Sequence, residues 1–200
     1  MRALVVDYGM GNLGSLLALL ERLHHQGVVW SHGTPPPGYD LVILPGVGSM
    51  QAAFDQLHER ELLEPLLDLH RREVPILGIC LGLQLFFESS EEGNGRGLGF
   101  LPGRVVALKA NRVPHMGWNT VRFRAHPLFK GLTPSSAFYF VHSYRVAPEQ
   151  GEIVYGETEY EQEWFPSVVV APPLVGVQFH PELSGPVGRQ WLDNYFREMV

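Results

Sequence analysis

Cysteine is all but missing from this chain: among 200 residues only Cys80 carries a thiol. One cysteine excludes an internal disulfide and a thiolate zinc site, and it fits a reducing, cytoplasmic setting. There is no His-Glu-x-x-His run either, so neither a metal nor another cofactor is expected. Long apolar runs are absent; the first, Ala3 to Val6, is too short for a signal peptide or a membrane span. Positive charge is scarce. Fifteen Lys and Arg stand against 21 Asp and Glu, for a net charge of −6, which argues against nucleic acid as a main partner. Repeats and low-complexity tails are lacking, and the triple proline Pro35-Pro36-Pro37 is a rigid loop too short to join domains. What remains is a chain with 45% hydrophobic residues, ample for one core. Residues 1–200 are read as a single soluble domain.

The stretch around the lone thiol is the most informative. The apolar run Val74 to Ile79 reads as a buried strand, and the amphipathic segment Leu81 to Glu88 as a helix. Cys80 falls where one becomes the other. Gly78-x-Cys80-x-Gly82 is the nucleophile-elbow pattern with sulfur in place of oxygen. A sharp strand-to-helix turn strains the backbone at the nucleophile, and a Cβ on either flank would collide with neighbouring elements. The backbone N–H groups of a following helix would point at the sulfur. A lone cysteine can equally be a small buried hydrophobe; the paired glycines favour the nucleophile.

Before this stretch, strand and helix patterns alternate. Ala3 to Val6, Val28 to Trp30 and Tyr39 to Leu44 read as strands; Leu16 to His24, Met50 to His58 and Glu61 to Arg72 read as helices. This order implies an α/β fold: a mostly parallel sheet with helices on both faces. Sites in such sheets lie beyond the C-terminal strand ends, where Asp7, the loop Pro45 to Ser49 and Cys80 all fall. Gly9-Met-Gly11-Asn-Leu-Gly14 matches a dinucleotide fingerprint, but the second strand ends in Ser31-His32 with no acid for the ribose. The glycines are instead read as a tight turn approached by another backbone. Beyond the glycine-rich stretch Glu91 to Gly103, the strands Arg104 to Leu108, Thr120 to Phe123 and Ala137 to Val141 lack long helices between them. They suggest an antiparallel extension closing one side of the sheet. Pro114-His-Met-Gly-Trp-Asn119 reads as a loop that is either a contact surface or packed interior. Near the end, Val175 to Phe179 is a strand and Trp191 to Met199 a helix. His180 and Glu182 sit two apart, so in extended chain they share a face. Such a pair can take the thiol proton and steady the resulting imidazolium. His142 is the competing base, without a carboxylate two positions away.

The elbow Gly78-Ile-Cys80-Leu-Gly-Leu-Gln84, together with Gln178-Phe-His180-Pro-Glu182, resembles the class I (triad) glutamine amidotransferases. Four further stretches, Asp7 to Ser15, Leu44 to Ser49, Pro114 to Asn119 and Phe138 to Tyr144, are similar to the glutaminase subunits of imidazole glycerol phosphate synthase within that family. The resemblance runs over essentially the whole chain. It implies a Cys80–His180–Glu182 triad that hydrolyses L-glutamine through a thioester. It places the oxyanion between the N–H groups of Leu81 and of the Gly46–Val47–Gly48 loop, and the glutamine among Gly48, Gln84, Glu92 and Ser143. It also implies a heterodimer, in which a (β/α)8-barrel cyclase subunit docks over the site and receives the ammonia. Asn12, the stretch His115, Met116, Gly117, Trp118 and Asn119, and Tyr139 would line that interface. Val47 stands where many amidotransferases have glycine, so the oxyanion hole is expected to be incomplete without the partner. Leu183 stands where such subunits often carry lysine. A glutaminase serving another acceptor, a silent partner-binding scaffold and a stand-alone cysteine hydrolase are the competing readings.

Overall fold

The computed structural model describes residues 1–11, 13–93 and 95–200. The described residues form, in chain order, β1 (Arg2–Val6), α1 (Leu13–Arg22), β2 (Gln26–Trp30), β3 (Leu41–Leu44), α2 (Met50–Glu59), α3 (Leu63–Arg71), β4 (Ile76–Ile79) and α4 (Leu81–Gln84). Then follow β5 (Ser89–Ser90), β6 (Gly103–Ala107), β7 (His115–Thr120), β8 (Arg122–Phe123), β9 (Ala137–His142) and β10 (Tyr144–Pro148). The chain closes with β11 (Val154–Tyr160), β12 (Glu163–Ala171), β13 (Leu174–Val177) and α5 (Gly185–Glu198). Among the described residues the main sheet runs β2-β1-β3-β4-β13-β12-β11-β8. Its first five strands are mutually parallel, and β12, β11 and β8 continue it antiparallel. The expected α/β architecture with an antiparallel extension is therefore present.

Period-two alternation splits each central strand between two cores. Ala3 and Val5, Leu41 and Ile43, and Leu77 and Ile79 face α1 and α5, meeting Leu16, Leu20, Trp191 and Tyr195. Leu4 and Val6, Val42 and Leu44, and Ile76 face the opposite way, against Met50, Leu57, Leu66 and Leu81 of α2, α3 and α4. Helices cover both faces because both faces of these strands are apolar. No helix among the described residues is long and apolar enough to cross a membrane.

Several elements differ from the sequence expectation. Pro114 to Asn119 is not a loop: His115–Thr120 is strand β7, paired antiparallel with β9 from His115↔His142 to Thr120↔Ala137. The expected strand Thr120 to Phe123 is divided, since Thr120 ends β7 and Arg122–Phe123 joins the main sheet as β8. The helix after Cys80 is one turn rather than two, Leu81–Gln84; the Phe86 and Phe87 N–H groups bond three residues back, to Leu83 and Gln84. A single turn carries little macrodipole, so orientation of individual N–H groups matters more here than a helix field. The hairpin β11–β12 has no counterpart among the strands expected from the sequence.

Candidate active site

Cys80 joins β4 to α4 with φ 54° and ψ −106°. A non-glycine residue there lies outside even the left-handed region, a strain of about 1–3 kcal/mol that only a tightly packed surround can hold. The surround is visible. A Cβ on Gly82 would come 1.7 Å from the Leu44 carbonyl oxygen, and one on Gly78 would sit 2.7 Å from the Gly82 carbonyl. Gly176 pairs with Gly78 across β13 and β4 and leaves room for Leu83, which a Cβ would meet at 2.3 Å. Glycines on two adjacent strands thus let α4 press onto the sheet, and Cys80 is pushed up at its rim. The thiol is 4% exposed.

His180 arrives from the far end of the chain, at the C-terminal end of β13. Its backbone N–H donates to the Tyr139 carbonyl at 2.9 Å. Ser184 Oγ donates to the His180 carbonyl at 2.6 Å and accepts the Tyr139 N–H at 2.9 Å. The His180 segment is thereby fastened to β9. Its Nδ1 lies 2.8 Å from Glu182 Oε1. The pairing comes from a 3₁₀ turn over Pro181–Leu183, not from the extended backbone that the i, i+2 spacing suggested. Among the described residues, His180 Nε2 is buried with no hydrogen-bond partner of ordinary geometry. Burial works against its charged ring, yet the charge and hydrogen bonding of the Cys80 sulfur, and then Glu182, outweigh it. The imidazolium is held above its usual range. Thiol, imidazole and carboxylate therefore form one electrostatic unit.

A cavity of about 330 Å3 opens over Cys80, lined among others by Val47, Gly48, Gln84, Glu92 and Ser143. Gln84 Nε2 donates to the Tyr144 carbonyl at 3.0 Å and to Gln178 Oε1 at 3.2 Å. Both of its N–H groups are committed, which leaves Oε1 as what it can offer a ligand. Glu92 Oε2 accepts the Met50 N–H at 3.3 Å at the start of α2. A larger cavity, about 390 Å3, lies behind Glu182 between α1 and α5, bordered by Ser15, Arg22 and Arg189; Cys80 does not line it.

The two expected oxyanion donors reach the cavity but are occupied. Leu81 N–H donates to the Gly46 carbonyl at 3.4 Å, and Val47 N–H to the Met10 carbonyl at 3.3 Å. The second bond ties the glycine turn after β1 to the loop after β3, the backbone approach expected of Gly9 to Gly14. His142, the competing base, is turned from this task. Its Nδ1 faces the Tyr144 carbonyl at 2.9 Å and its Nε2 faces His115 Nδ1 at 3.0 Å. Burial pushes its pKa down to about 3.

Of the residues expected at a partner face, Met116 and Trp118 are 62% and 58% exposed on β7. Tyr139, beside them on β9, meets Trp118 edge-on at 6.1 Å. His115 points the other way and is buried, whereas Gly117 and Asn119 are half-buried. Asn12 lies outside the described residues. Gln178, within the quoted motif but given no role there, donates its Nε2 to Cys80 Sγ at 3.6 Å.

Residues 4–199 match the family described as glutamine amidotransferase class-I. The chain is 48% identical to the imidazole glycerol phosphate synthase subunit HisH of Methanopyrus kandleri, over 96% of each chain. To the same subunit of Moorella thermoacetica it is 47% identical, over 98% of this chain and 94% of that one. Among solved structures, PurLQS from Thermotoga maritima superposes with a TM-score of 0.77 at 16% identity, covering 100% of this chain and 99% of that one. A glutamine amidotransferase from Thermotoga maritima gives 0.64 at 19% identity, over 100% of this chain and 84% of that one. These two show a shared fold.

Proposed function

The chain belongs to the class I glutamine amidotransferase family, and from that membership and its full-length relatives we infer that it is the glutaminase subunit of imidazole glycerol phosphate synthase, acting in histidine biosynthesis. It hydrolyses L-glutamine to L-glutamate and ammonia. Cys80 attacks the side-chain amide carbon, and His180 takes the thiol proton and returns it to the departing nitrogen. Glu182 fixes the tautomer of His180 and supports its charge. Water, deprotonated by His180, then opens the thioester and frees glutamate. The observation that carries this reading is the buried His180–Glu182 pair at 2.8 Å, electrostatically joined to a thiol on a strained elbow.

Glutamine occupies the cavity over Cys80, with Gly48, Gln84, Glu92 and Ser143 as its contacts. The oxyanion forms between Leu81 N–H and Val47 N–H. Both are engaged elsewhere, so one rotation of the Gly46–Val47 peptide must withdraw the Gly46 carbonyl from Leu81 and turn the Val47 N–H inward. One such donor is worth about 10²–10³ in rate, so the resting state is a slow glutaminase. A (β/α)8-barrel cyclase subunit docks on the face carrying Met116, Trp118 and Tyr139, with Leu183 at its edge. It covers the thiol and takes the ammonia before water protonates it.

The test is glutamate release from glutamine by wild type and Cys80→Ala, each with and without the cyclase partner and its nucleotide ligand. Wild type should be stimulated by the partner, and the variant should be silent in both. Activity in the variant would remove the nucleophile. Equal wild-type rates with and without the partner would remove the coupling.

A further inference from the structure

Three buried polar side chains near the thiol have no part in the chemistry described so far: His115, His142 and Gln178, exposed by 2%, 6% and 0%. We propose that Gln178 is a positioning residue for the Cys80 sulfur, its amide oriented by Gln84, whose own amide is oriented by the acceptor-only Tyr144 carbonyl. The proposal rests on Cys80 being the nucleophile.

The Tyr144 carbonyl accepts from two sides, and on the His142 side the donors fix one another. The Tyr144 carbonyl can only accept, so His142 Nδ1 carries a proton and donates to it at 2.9 Å. Burial keeps this ring neutral, so its Nε2 is a lone pair and His115 Nδ1 must be the donor at 3.0 Å. His115, also kept neutral by burial, then presents Nε2 as an acceptor, and Asn119 Nδ2 lies 3.3 Å from it. The Asn119 amide has its own lock. Its Oδ1 accepts the Thr120 N–H at 2.8 Å, and its Nδ2 donates to the Glu159 carbonyl at 2.9 Å.

On the other side of Tyr144, Gln84 Nε2 donates to the same carbonyl at 3.0 Å and to Gln178 Oε1 at 3.2 Å. Gln178 is left with only its Nε2 to direct at Cys80 Sγ, 3.6 Å away. Turning the Gln178 amide over would set NH2 against NH2 at Gln84 and a carbonyl against the sulfur. The Tyr144 carbonyl, acting through Gln84, therefore enforces a donor at the thiol.

That donor has a definite use. The neutral thiol can donate to the Val141 carbonyl at 3.7 Å. Once the sulfur is anionic that carbonyl repels it, and the Gln178 N–H becomes the favourable contact. The amide thus holds the sulfur in one rotamer while it carries charge. Gln178 touches the nucleophile from the side and exchanges no proton, so it positions and does not react.

Gln178→Met keeps the length and shape of the side chain and removes the donor; Gln178→Glu keeps an acceptor for Gln84 and sets an oxygen, in place of the donor, against the sulfur. Cys80 is the only thiol, so its alkylation by iodoacetamide reads sulfur reactivity without glutamine. Gln178→Met should lower the alkylation rate and kcat about 10-fold or more, the usual worth of a hydrogen bond to a charged group. KM should stay within about twofold, because Gln84 keeps its bond to Tyr144. Gln178→Glu should lower both at least as far, because its oxygen repels the anionic sulfur. A packing role alone would lower the unfolding temperature and leave alkylation and kcat per folded molecule unchanged. That result in either folded variant overturns the proposal, and Gln178→Glu decides it if Gln178→Met does not fold. Glutaminase activity surviving in Cys80→Ala would instead overturn the underlying assignment of the nucleophile.

Discussion

The backbone N–H of Leu81 donates to the Gly46 carbonyl at 3.4 Å, while the next amide in that loop, Val47 N–H, points away to Met10 at 3.3 Å. One peptide plane therefore blocks one candidate oxyanion donor and misdirects the other. Val47 is 43% exposed, so its side chain is not held by packing, but β-branching restricts the backbone that must rotate. Val47→Gly should raise glutamate release in the absence of any partner, on the order of 10-fold, since even partial recovery of one donor is worth that much. The partner-stimulated rate should change far less. An unchanged or slower basal rate would show that this peptide is not the restraint.

Gly82 is the tightest point beneath Cys80, its missing Cβ falling 1.7 Å from the Leu44 carbonyl oxygen. That neighbour is strand backbone with no side chain to swing aside. Gly82→Ala should lower the unfolding free energy by about 3 kcal/mol or more, the upper range for overpacking. Urea titration of the two proteins measures it. A cost under about 1 kcal/mol would mean that α4 lifts from the sheet easily and that the elbow is not held by close packing.

The proposed nucleophile and its partners are legible in the sequence because each leaves a local mark. Glycines flank Cys80 since close packing admits nothing else, and the His180–Glu182 spacing survives even though a 3₁₀ turn, not a strand, brings the two together. The hairpin β11–β12 leaves no such mark. Its turn places Glu161 and Gln162 at φ 47° and 72°, where Asn-Gly or Asp-Gly would have announced it. Strand β7 is hidden by Pro114 in front of it and by Gly117 within it, a residue that favours loops and here sits at φ 132°. Gln178 is visible in the sequence but not interpretable there. Its meaning lies in Gln84 and Cys80, about a hundred positions away, and only the parallel pairing of β4 with β13 brings them together.

Trp118 and Met116 are exposed side chains on a strand whose other face is packed. Large aromatic residues near the centre of an interface tend to dominate its energy. Trp118→Ala should weaken association with the proposed cyclase partner by about 2 kcal/mol, roughly 30-fold in Kd. The partner-free glutaminase rate and the unfolding temperature should stay as in wild type. Titration calorimetry of wild type and variant against the barrel protein measures the difference. Equal affinities would place the docking face elsewhere.

Acid should destabilise the fold through its buried neutral histidines. Burial lowers His115 to about 4 and His142 to about 3, against roughly 6.5 in an unfolded chain. Between about pH 6 and 4.5 the unfolded state holds a proton on each ring that the native state lacks. Stability therefore falls as pH falls through this window, by about 1.4 kcal/mol per unit for each ring. His180 has the opposite sign: its native value is raised, so below about pH 6.5 both states hold the proton and it adds no slope there. His115 stacks on Tyr160 and Phe140 with centroids at 4.1 and 4.9 Å, a site that accepts a phenyl ring. His115→Phe should thus be less stable than wild type near neutrality, having lost its hydrogen bonds. Its stability should nevertheless fall less steeply with acid, by about one proton's worth of slope. Urea unfolding at pH 6.0, 5.25 and 4.5 gives both slopes. Parallel lines for the two proteins would mean that His115 is protonated in the native state, and would remove the acceptor assigned opposite Asn119.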